Sequence, residues 1–156
     1  MQSRMTNPAV MIPATMKALQ DLHASIAPIG LPAALAELVH LRVSQINGCS
    51  VCVDMHSRSL RRQGESDQRI FTVAAWREAP YFSDAERAAL ALAEELTRIS
   101  DRPDAVSDEV WDEVNRHYDQ QGVAALLVTI AAINVWNRLN VATRQVAGAW
   151  TAGTSA

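Results

Sequence analysis

The chain has 156 residues, 49% of them hydrophobic and 20% charged, with a formal net charge of −3. That length suits one domain with a real core, and the balance is globular. The charge excludes the clustered basic excess of a nucleic-acid binder, and two cysteines are too few for a disulfide scaffold. Residues 1–11 lack the apolar run of a secretory signal. The most apolar stretch, 123–133, falls short of the roughly 20 residues that a membrane span needs. The cytoplasm is therefore the expected compartment, with no membrane and no nucleic-acid partner.

Helical periodicity runs almost throughout the chain. The expected fold class is all-α: a single-domain bundle of six or seven helices. Residues 1–13 read as an N-terminal extension, 14–147 as the helical domain, and 148–156 as a small, fraying tail that includes Trp150. The first helix spans about 14–26 and stops near Pro28 and Gly30. The second opens at Pro32, whose missing N–H costs nothing in a first turn. It carries Leu35, Leu38, Val39, Val43 and Ile46 on one stripe and ends at Asn47-Gly48, a common left-handed stop. A third helix starts at or just after Cys49 and runs to about Gln63. A fourth, capped by Ser66, covers about 67–76. Ser83 and Glu86 form a capping box before a fifth helix that reaches about Ile99. A sixth runs from Ser107 or Asp108 to about Tyr118, and the last from about Gly122 to Val146.

The chemistry gathers around Glu37, Cys49, Cys52 and His56. Two thiols at i and i+3 on one helix are surface neighbours, about 5–6 Å apart at Cβ, close to the separation that a disulfide accepts. His56 lies one turn beyond Cys52 and can take its proton directly or through a water. The helix N-terminus favours an anion. Such surroundings bring a cysteine pKa from about 8.5 into the range of roughly 3.5–7.5. A thiolate attacks a peroxide oxygen to give a sulfenic acid, which a second thiol converts to a disulfide. An antiparallel helix pair across Asn47-Gly48 returns Glu37 toward the cysteines, where it can orient His56.

At these residues the chain resembles the carboxymuconolactone decarboxylase superfamily, in its alkylhydroperoxidase AhpD-like branch. The likeness rests on Glu37, the helix end Ile46 to Cys49, the Cys49–Cys52 pair and His56. It continues through 71–80, 83–90 and 133–140 and covers about 14–146. The resemblance implies that Cys52 attacks the peroxide, Cys49 resolves it, and His56 with Glu37 relays protons through a bound water. It implies a trimer or hexamer of this chain. It also implies recycling by a dithiol donor, such as a dihydrolipoyl or thioredoxin-like protein. Family members carry a histidine just before the second cysteine; here that place is Val51, which has no proton to move.

The resulting expectation is a thiol-dependent peroxidase for organic or hydrogen peroxide, serving antioxidant defence. No flavin, haem or nicotinamide motif is present. Three other readings use the same residues. One is a dithiol sensor or redox partner without turnover. Another is a decarboxylase or isomerase acting on a small carboxylate. The last is a zinc module built from the cysteines with His56 and Glu37, although structural zinc takes four such ligands and catalytic zinc three. No metal is expected. His40, at i+3 from Glu37, reads as a helix-surface residue, as do His23 and His117. Asp54 complements the dipole of its helix, and Arg58, Arg61 and Arg62 form a solvated face. Asn134, Asn137 and Arg138 interrupt an apolar helix and need partners across a helix or subunit contact. Trp76, Trp111 and Trp136 read as core or interface anchors.

Overall fold

A computed structural model describes residues 1–101 and 103–148, so the tail expected from 148 onward lies outside them except for Gly148. Eight α-helices and no strand occur among the described residues. They are α1 (Pro8–Met11), α2 (Pro13–Ser25), α3 (Ala33–Asn47), α4 (Ser50–Arg62), α5 (Asp67–Thr72), α6 (Asp84–Thr97), α7 (Asp108–His117) and α8 (Gln120–Thr143). Short 3-10 turns follow α2 and α5.

Local chemistry sets most of the boundaries. Ser66, Ser107 and Asp119 each accept a bond from a backbone N–H in the first turn of α5, α7 and α8. Ser83 and Glu86 cap α6 reciprocally, as the sequence indicates. The fourth helix is shorter than expected. Thr72 Oγ1 turns back to the Gln68 carbonyl at 2.6 Å, and the chain tightens into a 3-10 turn over Val73–Ala75. The last helix starts and ends earlier than expected. Asp119 captures the Gly122 N–H at 2.8 Å, and Arg144 adopts a left-handed conformation at φ 53°. No glycine marks that stop, so periodicity alone runs past it.

The additional helix, α1, lies within the segment read as an extension. Asn7 caps it and is buried. The Arg4 N–H donates to the Thr143 carbonyl at 2.8 Å, and Gln145 donates to the Met5 carbonyl. These bonds fasten residues 4–7 to the end of α8.

Helix α3 occupies the centre and packs against α4, α6 and α8. One side contributes Leu35, Val39 and Val43 to a core shared with Leu92 of α6, Val114 of α7, and Leu126 and Ile130 of α8. The other contributes Leu38 and Leu41 to a core with Leu60, Ile70, Trp76, Phe82 and Leu90. Burying each such side chain contributes about 1.5–3 kcal/mol. A helix enclosed on opposite faces must also bury polar residues, and α3 buries His40 and Ser44.

Helix α8 has 24 residues and is long and apolar enough, by length and composition, to cross a membrane. The shorter stretch read from the sequence understated it. Over half of its apolar stretch is buried in the protein. The same helix carries the polar set anticipated for it. Asn47 donates to Asn134 and Asn137 at 2.9 Å each, and Asn137 donates to Ser44 at 3.1 Å. These bonds cross between helices α3 and α8. Trp76 is a core residue, whereas Trp111 is exposed on α7.

Candidate active site

Gly48 closes α3 in the left-handed region at φ 67°, and the Cys49 N–H returns to the Ser44 carbonyl at 3.0 Å. The turn is tight enough to lay α4 back along α3. Cys49 is the cap of α4 and Cys52 sits in its first turn. The two form a disulfide, with Cα atoms 5.4 Å apart, and both are buried. With the sulfurs joined, this is the oxidised form of the pair.

The antiparallel pairing brings Glu37 of α3 to His56 of α4. The His56 Nδ1–H donates to Glu37 Oε2 at 2.8 Å. In the neutral ring this bond leaves the lone pair on Nε2, free to accept a proton. Glu37, Cys52 and His56 line one cavity of about 520 Å³, together with Val51, Trp136 and other residues. Val51 is buried at the position where the resemblance places a histidine. Cys49 borders a different cavity, on the side of Gly48 and Arg144. The four residues singled out by the sequence therefore share one corner, with only Cys52 of the pair facing the cavity that Glu37 and His56 line.

Three further residues belong to this corner. Asn140 of α8 donates through Nδ2 to Cys52 Sγ at 3.2 Å. Its Oδ1 accepts from Asn7 Nδ2 at 2.7 Å, and Asn7 Oδ1 accepts from the Ala9 N–H. A continuous polar chain thus runs from the N-terminal segment to the sulfur. No sequence pattern links positions 7, 52 and 140.

His40 is the third. It was expected on a helix surface, but it is buried at 6% exposure, because α3 is enclosed on this side too. Its ring centroid lies 4.8 Å from that of His56 and 5.8 Å from that of His23. Its Nδ1 is 4.0 Å from Glu37 Oε1 and has no hydrogen-bond partner. Burial, reinforced by the neighbouring His56 and His23, pushes the His40 pKa well below 6.5. Its spacing from Glu37 was the available signal, and burial was the missing piece.

The other charged residues fall where the sequence puts them. Asp54 pairs with Arg58 at 2.8 Å, and Arg61 with Asp67 at 2.6 Å, both on the outer side of α4. His23 is exposed at the cavity mouth, and His117 pairs with Glu113 on the outside of α7.

An all-helical bundle thus holds a Cys-x-x-Cys disulfide beside a glutamate–histidine pair. The carboxymuconolactone decarboxylase family model matches residues 13–95. The chain belongs to that family, in its AhpD-like branch. It is 38% identical over 130 residues to the uncharacterised protein YdfG of Bacillus subtilis, covering 83% of this chain and 87% of that one. Its fold is similar to that of a protein of unknown function from Agrobacterium tumefaciens, a candidate antioxidant defence protein AhpD. That match has a TM-score of 0.86 and 34% identity, over 94% of this chain and 98% of the other. The debrominase Bmp8, solved with 2,3,4-tribromopyrrole, shares the fold at a TM-score of 0.75 and 22% identity, over 89% and 73% of the two chains.

Proposed function

We propose that this protein is an AhpD-like thiol peroxidase acting on hydrogen peroxide or an organic hydroperoxide. The observation that carries the reading is the Glu37–His56 bond of 2.8 Å on the wall of the cavity that Cys52 faces, with Cys49 already bonded to Cys52. In the reduced enzyme, His56 Nε2 takes the Cys52 proton, directly or through a water, while Glu37 fixes the ring and stabilises the imidazolium. The thiolate attacks one peroxide oxygen and the O–O bond breaks. Cys52 becomes a sulfenic acid, and the departing alkoxide or hydroxide collects the proton from His56. Cys49 then attacks the Cys52 sulfur, the S–O bond breaks, and water leaves as the disulfide forms. A dithiol donor of the dihydrolipoyl or thioredoxin type returns both thiols and is itself oxidised. No bound cofactor enters this cycle. The chain is assigned to the cytoplasm, as a homo-oligomer of three or six copies.

The test is intact mass after one equivalent of cumene hydroperoxide, on the fully reduced, metal-free protein. The parent should gain an intramolecular disulfide within seconds. Cys49→Ser should trap one oxygen on Cys52, and Cys52→Ser should not react. Slow oxidation of the parent, or oxidation that survives Cys52→Ser, would overturn the peroxidase reading. Turnover of a small carboxylate surviving Cys52→Ser would move the chain to decarboxylase chemistry. Reversible oxidation without turnover with any donor would make it a dithiol sensor.

A further inference from the structure

His40 is a buried imidazole that the thiol cycle does not use, and its Nδ1 has no hydrogen-bond partner. A buried polar atom without a partner is costly, so the orphaned Nδ1 of His40 calls for a ligand. The groups around it fit one. Glu37, His40 and His56 each offer one donor atom, and these atoms all lie within 4.8 Å of one another. His56 Nδ1 is 2.8 Å from Glu37 Oε2, and His40 Nδ1 is 4.0 Å from Glu37 Oε1. The two ring centroids are 4.8 Å apart. Two imidazoles on one tetrahedral ion, with metal–nitrogen bonds of about 2.0–2.1 Å, have centroids roughly 5 Å apart.

We propose that Glu37, His40 and His56 form a binding site for a divalent transition-metal ion of the zinc class. The donor set of two imidazoles and one carboxylate is the three-ligand set of open zinc sites, with the fourth position turned to the cavity. Hard cations such as magnesium are disfavoured, because they prefer all-oxygen shells and retain water. Glu37 and His56 come from different helices, so the ion ties α3 to α4 beside the disulfide. His23 stands behind His40, 5.8 Å away between ring centroids, and is not counted as a ligand. A neutral imidazole is the form that ligates a metal.

The ion takes the place of the proton between His56 Nδ1 and Glu37 Oε2. Metal binding and the proposed proton relay are therefore mutually exclusive at those atoms. The site itself does not depend on the peroxidase reading, because the donor atoms are present whatever the thiols do.

The experiment is calorimetric titration of the disulfide form with zinc chloride at pH 7, where no thiolate competes. Magnesium chloride runs in parallel, and cobalt(II) gives a visible absorption spectrum of the site. One zinc per chain is expected, with no magnesium uptake and with cobalt bands characteristic of a low-coordinate nitrogen–oxygen site. His40→Phe, His56→Phe and Glu37→Gln should each weaken zinc binding at least tenfold. Each variant is first checked for its native circular dichroism, and any one that folds suffices. His117→Ala, which removes an exposed pair with Glu113, should leave the binding unchanged. Absence of stoichiometric zinc uptake would overturn the proposal, as would uptake unaffected by the folded variants. Neither result touches the peroxide assay, which uses metal-free reduced protein.

Discussion

Asn140 places a hydrogen-bond donor 3.2 Å from the sulfur of Cys52. A hydrogen bond to a charged acceptor contributes about 1.5–3 kcal/mol, so this amide stabilises the Cys52 thiolate in the reduced protein. Asn140→Ala should slow alkylation of Cys52 by iodoacetamide at pH 7 by about tenfold, and Asn7→Ala, which frees the amide to rotate, by less. Rates unchanged in both variants would remove Asn140 from the reactive set. His40 makes a second statement at this scale. Its folded pKa lies below 6.5, so between that value and 6.5 the unfolded chain binds the extra proton. His40 therefore lowers stability as pH falls below about 6.5, and the loss levels off beneath its folded pKa. Denaturant melts between pH 8 and 5 should show this decline, and His40→Phe should flatten it. The groups that face His40 are Glu37, His56 and His23, and the same series in His56→Phe separates their share.

At the scale of elements, the α3–Gly48–α4 hairpin carries the site. A left-handed residue with a Cβ costs roughly 1–2 kcal/mol, and Gly48 sits at φ 67° with open space where a Cβ would go. Gly48→Ala should thus destabilise by backbone strain alone, about 1 kcal/mol by thermal melting, without a clash. Because Cys49, the cap of α4, follows directly, the same change should also slow disulfide formation after oxidation. The N-terminal segment works at this scale as well. Residues 4–7 bond to the last turn of α8 and hold Asn140 through Asn7. It is part of the scaffold of the site, although its short polar run resembles an appendage when read alone.

Across the whole molecule, Glu94 of α6 joins elements far apart in sequence. Its carboxylate, buried at 5% exposure, accepts from Arg42 of α3 at 2.6 Å, from Trp76 Nε1 at 3.0 Å and from Arg77. Burial works to raise its pKa, but bonds from Arg77, Trp76 and Arg42 outweigh it and hold the pKa below 4.5. The stability it supplies is present above the ordinary carboxylate range and is lost as pH falls through the depressed pKa. Glu94→Gln removes the charge that pairs with half-buried Arg42 and should cost about 3 kcal/mol in denaturant melts at pH 7. A loss below 1 kcal/mol would mean that the arginines find water instead. The surface also bears on assembly. Phe71 on α5 and Val135 and Val141 on α8 are exposed apolar residues, and light scattering should return three or six times the 17.0 kDa chain mass. A monomer at micromolar concentration would retire the proposed assembly.

Short-range rules made much of this protein legible from its sequence. The capping box at Ser83, the left-handed stop at Gly48 and the i, i+3, i+7 spacing of Cys49, Cys52 and His56 are local. Each depends on hydrogen bonds and dihedral angles within a turn or two, and each stands where its residues indicate. The approach of Glu37 to His56 was within reach because one tight turn separates their helices. The rest required the chain to fold back on itself. Asn7 and Asn140 line up behind Cys52 only because the N-terminal segment and the end of α8 meet beside it, and Glu94 finds Arg42 only because α6 packs on α3. His40 was hidden for the same reason. Which face of α3 is enclosed depends on α2, α4 and α8 together, and a sequence window that sees one helix at a time carries no information about that enclosure.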